Sequence, residues 1–152
     1  MKQPPIYQKY QKNMKPGKFS STGFLGTDTR NLFDIIADDN ITVSQLSVSH
    51  EMIAEKLQYF RDKGFDSYGT SVTIDEKWRV TVDSFRGKLI CPFEHKGLYR
   101  KTLIELIYIP ENLTVQYTDL SIHMIREHGF YQGIGSRFRL EPEILVKIFA
   151  LQ

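Results

Sequence analysis

The chain has 152 residues, 41% of them apolar and 25% charged, with a formal net charge of +2. That length suits one domain able to bury a core without covalent staples. A single cysteine, Cys91, excludes an intramolecular disulfide framework, and no run approaches the roughly 18 apolar residues of a membrane-spanning helix.

The near-neutral charge hides an asymmetry. Residues 1–22 hold five lysines and no acid, or +5, while residues 23–152 carry −3. The arm lacks the apolar stretch of a secretory signal, so a cytoplasmic protein is expected. Pro4, Pro5 and Pro16 should break helices and strands there and leave a mobile terminus. Tyr7, Tyr10 and Phe19 lie among the lysines. That mixture also suits docking on the acidic body, self-association, a protein partner or, as a minority reading, stacking on nucleic acid. Residues 23–152 read as one α+β domain.

Asp28 or Thr29 can cap a first helix over about 29–39, with Leu32, Phe33, Ile35 and Ile36 as its apolar stripe. Asp38 and Asp39 would then sit at its negative end as solvated carboxylates. Thr42 and Gln45 can form a capping box for a short turn. Ser47 or Ser49 caps a second helix, lined by Met52, Ile53, Leu57 and Phe60 and stopped by Gly64. The mixed charge of that helix argues against a DNA-recognition role for the pair over 28–66.

From Tyr68 the period changes to two. Thr70, Val72 and Ile74 alternate with polar neighbours, as do Trp78, Val80 and Val82. Residues 75–77 and 86–88 read as hairpin connections, with Leu89 and Ile90 opening a third strand. Leu98–Ile109 reads as a long fourth strand, and Leu113–Tyr117 follows the turn at Pro110. Short connections leave no room for crossover helices, so an antiparallel meander of four to five strands is expected. A helix follows over 119–128, capped by Thr118 or Asp119 and stopped by Gly129. Residues 131–140 form a glycine-punctuated connector, and a last helix starts at Pro142 with Ile144, Leu145, Ile148 and Phe149 apolar.

The least random feature is the placement of the scarce ligand-type residues. Three residues separate Cys91 from His95, four separate His123 from His128, and 27 separate the two pairs. Only His50 stands alone. Zinc favours four N or S ligands delivered as two close pairs from separate elements, so Cys91, His95, His123 and His128 are the candidate metal ligands. On a regular helix, residues five apart point about 140° away from each other, so the second pair should need the helix to tighten or end between its members. A full set of four would be structural. With three, a bound water would be available, and Glu94 or Glu127 would be the candidate base.

The segment Gly133-Ile-Gly-Ser136-Arg137-Phe138-Arg139 offers a second constellation. Its glycines free the backbone, and Ser136, Arg137 and Arg139 can hold an anion. The spacing is not that of a Walker loop, and no parallel βαβ unit surrounds it.

The run from His123 to Pro142 (HMIREHGFYQGIGSRFRLEP) resembles the closing segment of a group of uncharacterised bacterial cytosolic proteins. The resemblance covers the C-terminal third and implies a bacterial cytosolic setting, with no activity and no functional position carried over. Three functions compete. The first is a non-enzymatic binding or accessory domain knit by zinc. The second is a small enzyme using His123, His128 and Cys91 on an anionic substrate held by Arg137. The third is nucleic-acid binding through the basic arm.

Overall fold

A computed structural model describes residues 3–151. The order of elements is α1 (Pro5–Asn13), α2 (Leu32–Gln45), α3 (His50–Phe65), β1 (Val72–Ile74), β2 (Trp78–Leu89), β3 (Tyr99–Tyr108), β4 (Leu113–Tyr117), α4 (Asp119–His128) and α5 (Pro142–Phe149). The four strands form one antiparallel sheet in the order β1-β2-β3-β4. The fold is therefore α+β, with a helical region, a meander and two C-terminal helices.

The meander follows from alternation. Val80 and Val82 on β2 and Ile104 and Leu106 on β3 are buried beneath the helices, while Arg79, Asp83 and Lys101 are exposed. One dry face and one wet face is the usual arrangement for an antiparallel sheet. The main core joins these residues to Leu57, Phe60, Tyr117, Leu145 and Phe149. Its buried polar atoms are satisfied: the Tyr117 hydroxyl donates to the Leu57 carbonyl at 2.8 Å, and Trp78 Nε1 donates to the Ile148 carbonyl at 2.8 Å.

Several boundaries differ from the sequence reading, each for a physical reason. The prolines expected to break helices in the arm start one instead. Pro5 occupies the first helical position, where a missing N–H costs nothing, and the Pro4 carbonyl accepts the Tyr7 and Gln8 N–H groups. Helix α2 begins at Leu32 rather than 29, and its first N–H groups are capped from outside. Gln11 Oε1 accepts from Leu32 N at 3.0 Å and Gln3 Oε1 from Phe33 N at 2.8 Å. Two glutamines of the arm thus do what no side chain at the helix's own N-cap does.

Asp38 and Asp39 fall within α2 rather than at its end, and Thr42 and Gln45 lie in its last turn rather than in a separate one. Asp39 is buried and faces Arg139, with contacts of 2.6 and 2.9 Å. On α3, Ser49 is the cap and Met52 is exposed. Gly64 does not stop that helix. A Cβ there would lie 2.7 Å from Val82 Cγ2, so glycine is what lets α3 sit down on β2.

Arg86 and Gly87 make no hairpin. They bulge out of one continuous β2 between the pairs Phe85–Lys101 and Lys88–Arg100, so Leu89 ends that strand instead of opening a third. The next strand, β3, begins at Tyr99.

Candidate metal centre

The site begins at the tight turn after β2. The Cys91 carbonyl accepts the Glu94 N–H at 2.9 Å, Pro92 takes the second turn position and Glu94 is left-handed with φ 59°. This reversal returns His95 to the side of the Cys91 sulfur. Helix α1 holds the turn from behind. Asn13 Nδ2 donates to the Pro92 carbonyl at 2.9 Å and to a Glu94 carboxylate oxygen at 3.1 Å, and Lys9 pairs with Glu94 at 3.1 Å. Phe93 is buried in the second, smaller core with Met14, Phe24, Leu32, Ile35, Leu120, Met124 and Phe130.

Helix α4 supplies the other pair. Thr118 and Ser121 form a reciprocal capping box at its start, and Arg61 grips Asp119 in its first turn with two contacts of 2.9 and 2.8 Å. Gly129 ends it in the left-handed conformation, closed by Phe130 N–H donating to the Met124 carbonyl. The helix is unbroken from His123 to His128, so the expected tightening between them does not occur. Helical side chains lean toward the N-terminus, which carries the His128 ring back over the turn of His123. Their ring centres are 5.3 Å apart.

The Cys/His atoms converge. Cys91 Sγ and one ring nitrogen each from His123 and His128 lie within 4.8 Å of one another, close enough to hold a metal ion. Cys91 Sγ is 3.6 Å from His128 Nε2, and His95 Nδ1 is 3.2 Å from His123 Nε2. With Zn–N near 2.0–2.1 Å and Zn–S near 2.3 Å, a tetrahedral site has N–N edges of about 3.3 Å and N–S edges of about 3.6 Å. These two separations match such edges; the group that lies within 4.8 Å is Cys91, His123 and His128, and His95 stands outside it, next to His123.

The two rings from α4 are each held by an aromatic neighbour. The Tyr99 hydroxyl lies 2.9 Å from His123 Nδ1, leaving Nε2 for the shared centre. Phe93 stacks on the His128 imidazole at 4.1 Å and 11°. Cys91 is buried and His123 nearly so, His128 is half-buried and His95 is exposed.

Burial favours the neutral imidazoles. It lowers the pKa of His128 to about 4, with repulsion from His123 and His95 adding to the effect, and lowers that of His123 as well. Burial raises the Cys91 thiol, opposed by the Phe93 and His95 N–H groups directed at the sulfur. Neutral imidazoles are the forms that ligate zinc, whereas burial favours the Cys91 thiol, which would have to lose its proton to bind, helped by the two backbone N–H groups at the sulfur.

The remaining sequence candidates are not brought together. Arg139 is committed to Asp39 and to Glu141, the latter at 3.0 Å, and Ser136 donates to Gln132 Oε1 at 2.5 Å. The glycines of that connector serve packing: a Cβ on Gly133 would lie 2.3 Å from the Leu25 carbonyl oxygen. Arg137 lines a cleft that includes none of the Cys/His residues. His50, the unpaired histidine, bridges Tyr131 and Asn40 at 2.9 and 3.0 Å. Tyr7, Tyr10 and Phe19 pack against the second core rather than standing free for stacking. The sequence reading missed Tyr99 and Asn13. The only signal for Tyr99 was its place in a strand leading away from the Cys/His turn.

No protein-family model, no curated protein and no solved structure matches this chain. Among the described residues no helix is long and apolar enough to cross a membrane.

Proposed function

We propose that the protein is a non-enzymatic binding or accessory domain of the bacterial cytoplasm, built around a structural zinc site formed by Cys91, His95, His123 and His128. One observation carries the reading: Cys91 Sγ and ring nitrogens of His123 and His128, from two distant segments, lie within 4.8 Å of one another, and His95 Nδ1 stands 3.2 Å from His123 Nε2 as the proposed fourth ligand. The ion would cross-link the turn after β2 to the C-terminal end of α4. The setting rests on the resemblance of the closing segment, and a reduced, ligating thiol suits that compartment.

Catalysis stands second. Glu94, one candidate base, is held by Lys9 and Asn13, and the arginine expected to hold an anionic substrate lies in a separate cleft. Nucleic-acid binding through the arm is third, because its aromatic rings are used in packing.

Elemental analysis of protein purified without a metal-affinity tag tests the proposal. The expected result is one zinc per chain, lost in Cys91→Ser and in His123→Ala. Substoichiometric zinc at neutral pH overturns it.

A further inference from the structure

A cleft of about 300 Å³ lies away from the Cys/His residues. Its walls come from Ser20–Thr22 after α1, from β2 and β3 around the paired Phe85 and Lys101, from Thr118, and from Arg137 with Phe138 in the connector before α5. No acidic residue lines it, although residues 23–152 are net acidic. Lys101 and Arg137 are both exposed, and among the described residues neither has a carboxylate within 4.0 Å. Every carboxylate-bound arginine described above is already neutralised; these two cations are not.

The lining mixes two chemistries. It holds an ammonium, a guanidinium fork and the hydroxyl-bearing run Ser20-Ser21-Thr22. Beside them stand apolar groups: Phe85 is paired with Lys101 across the strands, and the Arg137 guanidinium lies 4.9 Å above the Phe138 ring. Stacking of this kind holds the fork in place while leaving its N–H edge free. A compact charge, a planar fork and several hydroxyl donors together suit an oxyanion with multiple acceptor oxygens. The neighbouring apolar side chains suit a carbon body attached to it. The volume is at the small end of ligand cavities, roughly 300–1,000 Å³.

We infer that this cleft is a binding site for a small organic phosphate, its phosphate held by Lys101, Arg137 and the Ser20–Thr22 hydroxyls and its apolar body set against Phe85 and Phe138. The site replaces the anion site expected from Ser136, Arg137 and Arg139, of which only Arg137 takes part. It does not depend on zinc.

Calorimetric titration of the full chain with phenyl phosphate, inorganic phosphate and benzyl alcohol separates the parts. Phenyl phosphate should bind more tightly than inorganic phosphate, and benzyl alcohol should not bind measurably. Lys101→Gln and Arg137→Gln should each weaken phenyl phosphate about tenfold, the low end for a charged hydrogen bond at an exposed site. Both positions are exposed, so folding should survive, as an unchanged circular dichroism spectrum would verify. Ser136→Ala should leave affinity unchanged. The inference is overturned by absent phenyl phosphate binding, by affinity that survives the Lys101→Gln/Arg137→Gln double variant, by benzyl alcohol binding as tightly as phenyl phosphate, or by loss in Ser136→Ala.

Discussion

The two cores of this protein are held by different means. The sheet-side core gathers nineteen buried residues from α3, the meander, α4, α5 and neighbouring segments, nearly all of them aliphatic or aromatic. The second core has nine, including Cys91, two methionines and three phenylalanines, and leans on α1, α2 and the turn at 91–94. The first is held chiefly by apolar burial, worth roughly 25 cal/mol per Å². The second is small and is completed by directional ties: the glutamine caps on α2, the Asn13 and Lys9 contacts to the turn, and the Cys/His cluster. The lesson is that a side too thin for a large apolar core can be fixed by polar links, to which the proposed zinc would add a coordinative one.

The comparison can be broken at its strongest polar link first. The Arg139–Asp39 pair joins α2 to the C-terminal connector with both side chains nearly buried, 10% and 7% exposed. Arg139→Gln leaves Asp39 uncompensated and should cost about 3–5 kcal/mol in denaturant unfolding. A loss under 1 kcal/mol (roughly the worth of an exposed pair) would mean the pair contributes little.

Next comes the apolar side. Leu57 is fully buried, and Leu57→Ala should cost about 2–5 kcal/mol. The cost should be the same with zinc present or chelated, because the residue belongs to the core that needs no metal. A zinc-dependent cost would merge the two regions energetically.

Chelation should act on the other side. Hydrogen exchange after zinc removal should show lost protection in residues 91–98 and in α1, while the paired centres of β2 and β3 stay protected. Saturating zinc at about 100 times its dissociation constant would restore about 2.7 kcal/mol. Uniform loss across the sheet would contradict the division.

The smallest effect is on pH. His128 and His123 have lowered folded-state pKa values, to about 4 for His128, so between the ordinary value of 6.5 and about 4 the unfolded chain binds more protons. Stability should therefore fall as pH drops through that window and level off below it. Protons also compete with zinc for the same nitrogens, which acts in the same direction. His128→Asn should flatten the slope in the chelated protein; an unchanged slope would remove His128 from the account.

Most of the fold was legible where local chemistry decides. Thr118 and Gly129 bracket α4, Pro142 opens α5, and the alternation of Val80 and Val82 marks a half-buried strand. The misses occurred where a residue's local meaning was overridden by a distant partner. Pro5 is a local exception, a proline at the first helical position whose N-cap neighbour Pro4 supplies the first carbonyl. Gly64 reads as a stop until Val82 is seen beneath it. Asp39 reads as a solvated helix end until Arg139 arrives from 100 positions away. The spacing of Cys91, His95, His123 and His128 could be read from the chain, but Tyr99 behind His123 and Asn13 behind the turn could not. Their roles depend on how α1 and β3 pack, which no local pattern encodes.

The central claim concerns what lies between one sulfur and three imidazole nitrogens. X-ray absorption at the zinc edge of the purified protein reads that shell directly. The account predicts one sulfur near 2.3 Å and three nitrogens near 2.0–2.1 Å, about the distances of tetrahedral zinc sites. An oxygen-only shell, or no bound zinc at all, would contradict it.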